Sequence, residues 1–309
     1  MHRGLCKQIW KFRATYFVML PGIISLLVFS FLPISGLFMA FTDYKPTGSV
    51  FDFFTGEWVG LDNIRRLFAT PYFWQVIKNT LVLNLLRLVF VLPSSLFFAL
   101  LLDEFRCQKL RKMVQNISIL PALLSVVVIY SLAAAILSPA DGLLNSVLSA
   151  TGNSKIHFLA DKRYFRAILV LLDIWRYTGL DSLIYAGSLA MVDKRIYEAA
   201  VLDGASRLDI IRKIKLPHLA GICLVLILFR TGCILNGDFE TVFMFYSEPV
   251  YSVADIIDTY AYRQGIINFD YGYSAAAELL KSVVGVTLAI VFWLLFRKRI
   301  LEENGGEVF

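Results

Sequence analysis

Residues 197–217 read YEAAVLDGASRLDIIRKIKLP, a charged interval between two segments long and apolar enough to cross a membrane. Its pattern is helix, break, helix. Residues 196–203 are rich in good helix formers, with Ala199 and Ala200 small enough for another surface to approach closely. Gly204 then permits a backbone direction that a larger residue resists. Beyond it Leu208, Ile211 and Ile214 recur at i, i+3, i+6, one apolar stripe among Arg207, Arg212, Lys213 and Lys215. Pro217 lacks an N–H donor and suits the start of the next helix. The stretch therefore predicts an elbow lying against the membrane and offering a small-residue knob to something soluble.

The remainder of the chain is consistent with a membrane setting. Of its 309 residues 58% are hydrophobic and 17% charged, with a mean hydropathy of +0.66; soluble domains carry about 25% charged residues. The net charge of +6 does not point to nucleic acid, because the basic residues cluster at segment ends, where the positive-inside rule accounts for them. Cys6, Cys107, Cys223 and Cys233 form no CxxC pair, and His2, His157 and His218 are scattered, so neither a disulfide framework nor a metal site is indicated.

Six spans are expected, at about 14–42, 77–102, 113–137, 165–190, 218–235 and 274–296, within an all-α membrane domain over 14–299 whose elbow loop is 193–217. The first is read as retained rather than cleaved, since it runs too long for a signal peptide and lacks a small-residue cleavage site. Residues 1–13 read as a cytoplasmic leader and 300–309 as a cytoplasmic tail. Residues 58–68 suggest a short amphipathic helix on the outer face, and 236–273 an acidic outer loop. Stretches 1–13, 103–112, 191–216 and 297–309 hold 17 Lys and Arg, against 7 in 44–75, 138–163 and 236–273. Both termini and the elbow are thus expected on the cytoplasmic side.

Glu198-Ala199-Ala200, Gly204, and Ile214-x-Leu216-Pro217 resemble the signature loop of membrane subunits of ABC importers. Seven fixed identities at this spacing arise by chance on the order of once in 10⁸ windows. With Asp203, Ala205 and Ser206 the loop is similar to that of the carbohydrate-importing branch, which includes the maltose transporter membrane subunits. WVGLDNIRRLF, SPADGLLN, DIIDTYAYRQG and KSVVG are similar to a subgroup that carries oligosaccharides from plant or microbial polysaccharides. The chain departs from the maltose-type larger subunit, whose large outer domain and additional leading spans have no counterpart in it. The resemblance implies a cell-membrane permease of a bacterial importer. Its elbow would be the coupling helix of a cytoplasmic ATPase dimer. Its other partners would be a second homologous permease, an extracytoplasmic sugar-binding protein, a carbohydrate substrate and the bilayer. Glu198, Ala199, Ala200, Asp203, Gly204, Ala205, Ser206, Ile214, Leu216 and Pro217 would shape the ATPase contact. No GxxxxGK[ST] loop is present, so the chain itself cannot cradle nucleotide phosphates; ATP and Mg would sit on the ATPase, and this chain would be a transport subunit with no cofactor and no enzymatic activity of its own. Gly204→Asp is expected to jam the turn and block coupling.

Arg87, Asp173, Arg176, Asp181, Arg230, Glu278 and Lys281 fall within expected spans. Ionised groups are costly in hydrocarbon and should face the bundle interior, water or each other. One reading is a polar pathway opening outward, lined by Arg87, Asp173, Arg176, Asp181, Arg230 and Glu278, with Trp175, Tyr177 and Tyr185 stacking on sugar rings. The other is structural: Asp173/Arg176 and Glu278/Lys281 are i, i+3 pairs able to neutralise one another. Other functional classes compete. A glycerol-phosphate or other polar-solute importer would carry the same elbow, and a secondary transporter would explain the charges without it. A membrane enzyme has no constellation here to support it: DxD, HExxH and GxSxG are absent.

Overall fold

A computed structural model describes residues 12–45 and 56–303. Most of the expected leader (1–13) and tail (300–309), and residues 46–55, lie outside them. The chain divides into two compact units, one of residues up to Ala69 with Ala261–Leu279, the other of Thr70–Tyr260 with the residues from Leu280 on.

In the first unit, α1 (Arg13–Leu26) continues through a π turn (Leu27–Phe31), Leu32–Ile34 and a 3₁₀ stretch (Ser35–Phe41). The irregularity follows Pro33, whose missing N–H breaks the i→i−4 ladder. Its apolar side chains stand in the open, Phe17, Val18 and Phe29 each 77% exposed. Strand β1 (Thr42–Asp43) pairs antiparallel with β2 (Glu57–Trp58), and Phe41 stacks on Trp58. The expected amphipathic helix is α2 (Asp62–Ala69). Its buried Asn63 donates to the carbonyls of Ala40 and Thr42, both at 3.2 Å, which satisfies polar groups at the end of the first span.

The second unit is built on α3 (Pro71–Asp103), 33 residues and roughly 50 Å long at 1.5 Å per residue. It packs along α7 (Lys162–Leu189). Between them in sequence lie α4 (Gln108–Ile119), α5 (Val126–Leu137) and α6 (Leu143–Ala150). Then follow α8 (Lys194–Leu202), α9 (Arg207–Ile210), α10 (Leu216–Gly232), α11 (Phe239–Phe245), α12 (Tyr251–Ala254), α13 (Ile257–Tyr262) and α14 (Tyr271–Glu303), of which residues 261–279 are counted with the first unit. Close approach is set by glycine at two crossings. A Cβ on Gly179 would fall on the backbone of Ser118 in α4, and one on Gly285 would meet the Gly232 carbonyl at 2.5 Å.

Thr15–Phe41, Pro71–Asp103, Arg207–Gly232 and Tyr271–Arg297 are long and apolar enough to cross a membrane. The expected third span is not one straight rod. Gln108–Leu123 and Val126–Leu137 meet at 98°, because Leu124 and Ser125 take extended backbone after Pro121 and the Ser125 hydroxyl then caps α5 by accepting from the Val128 N–H. Taken as one broken span, this pair makes five. The expected fourth span, α7, is long enough at 28 residues but carries Arg166, Asp173, Arg176 and Asp181, so length alone supports it.

Two further expectations are corrected. Residues 236–260 are not an open acidic loop: Val242, Phe245, Val250, Ala254 and Ile256 join Leu83, Ile129, Phe165 and Leu169 in the main apolar core. Two of their acids have partners inside the protein. Asp255, fully buried, accepts from the Tyr72 and Thr259 hydroxyls, each at 2.7 Å, and Asp258 meets Lys281 at 2.5 Å. Pro217 does stand in the first turn of α10, but the elbow's second arm is not separate from that helix, since Arg207–Gly232 runs continuously through a π turn at Ile211–Lys215. The second arm of the elbow is therefore the start of the next span.

Candidate functional site

A polar chamber lies beside α3. Arg87, half-buried midway along that helix, donates from Nε to Asp173 Oδ2 on α7 at 2.6 Å. Its Nη1 donates to the Gly237 carbonyl at 2.9 Å, and its Nη2 stands 3.7 Å from Asp238. The Gly237 N–H in turn donates to Asp258 Oδ2 at 2.8 Å, so the backbone of one residue joins the Arg87–Asp173 and Lys281–Asp258 pairs. Asp238 holds a left-handed backbone, φ 57°, which Asp tolerates better than most side chains. Gly237 is packed so closely that a Cβ would collide with Ile256.

The chamber encloses about 280 Å³ and is lined by Asn84, Arg87, Asp173, Tyr177, Arg230 and Asp238, among others. Arg230 reaches Asp181 at 3.0 Å, and Arg176 lies 5.0 Å over the Tyr177 ring while donating to Thr241 at 3.4 Å. Four of the nine pathway candidates, Arg87, Asp173, Tyr177 and Arg230, thus share one cavity. Asp181 joins them through Arg230, and Arg176 borders Tyr177. Trp175 instead lines a separate, more apolar cavity of about 580 Å³ with Phe98, Pro121 and Leu124. Tyr185 is fully buried in a second apolar cluster with Ala99, Leu189 and Leu219, where no solute could stack on it. Glu278 belongs to α14 in the first unit.

Asp173 does not pair with Arg176 along its own helix. A cross-helix partner, Arg87, reaches it at shorter range, because the two arginines on α7 and α3 compete for one nearly dry carboxylate and the closer geometry wins. Sequence spacing exposes only same-helix neighbours, so Asn84, Gly237 and Asp238 were missed altogether. Asp181→Asn removes the charge opposing Arg230 at the chamber edge. It is expected to reduce uptake about tenfold or more while leaving the amount of folded protein unchanged; uptake at the normal rate would remove Asp181 from the pathway.

The elbow is the other site. Asp193 caps α8, accepting from the Arg195 N–H at 2.9 Å. At its far end the Gly204 N–H bonds to the Val201 carbonyl and the Ala205 N–H to that of Ala200, a Schellman closure that needs the left-handed φ of +77° at Gly204. Ser206 and Asp209 then form a reciprocal capping box opening α9. Glu198, Ala199, Asp203, Gly204, Ser206 and Pro217 face solvent, while Ala200, Ala205 and Ile214 are half-buried. Leu202 is 88% exposed, a large apolar side chain presented at the tip.

Below this tip Lys215, only 5% exposed, reaches Asp103 at 2.8 Å and Glu104 at 2.5 Å, both at the end of α3. Arg111 also meets Asp103, at 3.2 Å. Lys215 Nζ lies 5.9 Å over the ring of Tyr197 in α8, whose phenol is pushed above its ordinary range by burial and then by the Asp103 carboxylate.

Protein LplB of Bacillus subtilis is 37% identical over 273 residues, covering 88% of this chain and 85% of that protein. The polygalacturonan/rhamnogalacturonan transport system permease protein YteP of Bacillus subtilis is 37% identical over 276 residues, 89% of this chain and 85% of its own. Among solved structures, a bacterial ABC transporter involved in the import of the acidic polysaccharide alginate contains a chain that superposes with a TM-score of 0.86 at 34% identity. That match covers 95% of this chain and 98% of that one. A second structure holds that alginate transporter in complex with an alginate pentasaccharide-bound periplasmic protein, with a TM-score of 0.85 at 33% identity and 95% and 97% coverage. Residues 95–301 match a family described as the binding-protein-dependent transport system inner membrane component. That match spans both the elbow and α7, and the chain belongs to this family of membrane transport subunits.

Proposed function

We propose that this chain is a permease of an ATP-driven importer that brings an oligosaccharide into a bacterial cell. The observation that carries the reading is the elbow: an EAA-type sequence folded as a capped, solvent-facing turn whose second arm is continuous with a membrane-spanning helix. A soluble ATPase pushing there would act directly on a span. The relatives' polysaccharide-derived substrates support a carbohydrate, and the chamber's balanced arginines and carboxylates suit a hydroxyl-rich solute, which hydrogen-bonds to both donors and acceptors.

In this reading six spans cross the membrane, the broken 108–137 segment and α7 included, with both termini and the elbow cytoplasmic. Arg87 and Arg230, from other helices, pair with Asp173 and Asp181 of α7, which lowers the cost of carrying those charges within the membrane. A second homologous permease completes the pathway, two ATPase subunits bind ATP and Mg, and an extracytoplasmic binding protein delivers sugar. ATP binding closes the ATPase dimer and carries the elbow with it, the chamber turns outward to receive sugar, and hydrolysis returns it inward. The test is a mild-detergent pull-down of the tagged chain from its native cells. A P-loop ATPase and a second multi-span protein are the expected companions. A solitary, folded chain would overturn the subunit reading and favour a secondary transporter.

A further inference from the structure

The ion cluster at the foot of the elbow ties together parts that must move together in any coupled transporter. Lys215 heads the second elbow arm, Tyr197 lies in the first, Asp103 and Glu104 end α3, and Arg111 lies on α4. Burying one ammonium between two carboxylates is not an efficient way to gain stability, since apolar replacements of such groups are often neutral or better. Its distinctive consequence is directional. Two charge-assisted contacts, at 2.5 and 2.8 Å, fix the elbow to one end of a 33-residue helix, and Arg111 holds the same Asp103 from α4 at 3.2 Å. Arg87 lies 16 residues along that helix from Asp103, about 24 Å at 1.5 Å per residue, and forms the wall of the chamber.

We infer that Lys215, with Asp103 and Glu104, is the positioning link that transmits elbow movement through α3 to the chamber. This rests on the coupling role proposed for the elbow. α3 runs unbroken from Pro71 to Asp103 through Pro93, and a continuous helix held at one end by short ionic contacts swings as a lever. Without them the elbow could still dock an ATPase, yet its displacement would be absorbed by the π turn at Ile211–Lys215, the least regular part of that span.

The test uses the assembled complex with its own ATPase and Cys233, which lines the chamber, as the sole cysteine. Its rate of modification by a small, membrane-impermeant thiosulfonate is measured with and without ATP plus vanadate, so no transported solute is needed. In the parent the rate is expected to change about tenfold or more between the two states. Lys215→Met alone leaves Glu104 unopposed and Asp103 with only Arg111, and risks misfolding, so the decisive variant is the triple Lys215→Met/Asp103→Asn/Glu104→Gln. It is expected to retain the bound ATPase and its hydrolysis within about twofold, while the nucleotide dependence of Cys233 labelling is lost; Lys215→Arg should keep it. A triple variant that labels like the parent overturns the link, because stability alone would then explain the cluster. Loss of ATPase binding in the triple would assign Lys215 to the docking surface and also overturns it. If the parent itself shows no nucleotide response while the ATPase is bound and active, the coupling role of the elbow fails first and the link with it.

Discussion

Gly204→Asp is expected to abolish ATP-driven uptake while leaving the membrane domain folded. The size of the expected effect comes from where the cost falls. A Cβ at this position meets nothing within 4 Å, so the turn is not jammed by bulk, contrary to what the sequence alone suggests. The intrinsic penalty is that of a left-handed backbone, φ +77°, about 1–2 kcal/mol for a non-glycine residue and lowest for Asn and Asp. A thermal midpoint lowered by no more than a few degrees is therefore expected for the isolated chain. In the assembled complex the same side chain would project from the exposed tip, beside Leu202 and Asp203, into the ATPase. A buried, unpaired carboxylate there costs several kcal/mol, enough to remove the ATPase from the purified complex. The measurement is uptake, ATPase recovery and thermal midpoint on one preparation. Normal uptake would remove the elbow from coupling, and a collapse of the midpoint would reassign Gly204 to folding.

The elbow was legible in the sequence because its information is local. Capping residues, a glycine and helix formers at short range specify a helix–turn–helix whatever surrounds it, and Asp193, Gly204 and Ser206 take the roles such residues favour. Hydropathy marked the long apolar helices for the same reason. What escaped was non-local. The segment carrying Asp238, Asp255 and Asp258 reads as a solvated acidic loop until Arg87, Tyr72 and Lys281, from 23 to 183 residues away, supply its partners. Asp173 and Arg176 look paired by spacing, yet the shorter contact comes from a different helix. Tyr185 looked like a sugar-stacking ring because an aromatic in a polar span has two possible faces, and only packing assigned it to the core. The 98° bend was signalled by Pro121 and Ser125, but a proline in an apolar run marks a kink without giving its angle.

Arg87→Met is the second large effect expected, and its partner variant separates structure from transport. Arg87 Nε and Asp173 Oδ2 are 2.6 Å apart, with Asp173's side chain only 3% exposed. Removing the arginine strands that carboxylate and leaves the Gly237 carbonyl without its donor. Breaking a buried pair in this one-sided way costs about 3–5 kcal/mol, so the single variant should yield little folded protein. In Arg87→Met/Asp173→Asn both charges leave together, and recovery of most of the lost stability is expected, read as the thermal midpoint and the yield of assembled complex. Uptake should not return with it. Arg87 lines the chamber, so the double variant replaces a charged, hydrogen-bonding group in its wall by an apolar one that offers a polyhydroxylated solute nothing. A double variant that both folds and transports at the parental rate would make the pair purely structural and move the solute path away from the chamber. A single variant as stable as the parent would mean that water reaches Asp173 freely, which a side chain closed off by α3, α7 and the 237–238 turn does not permit.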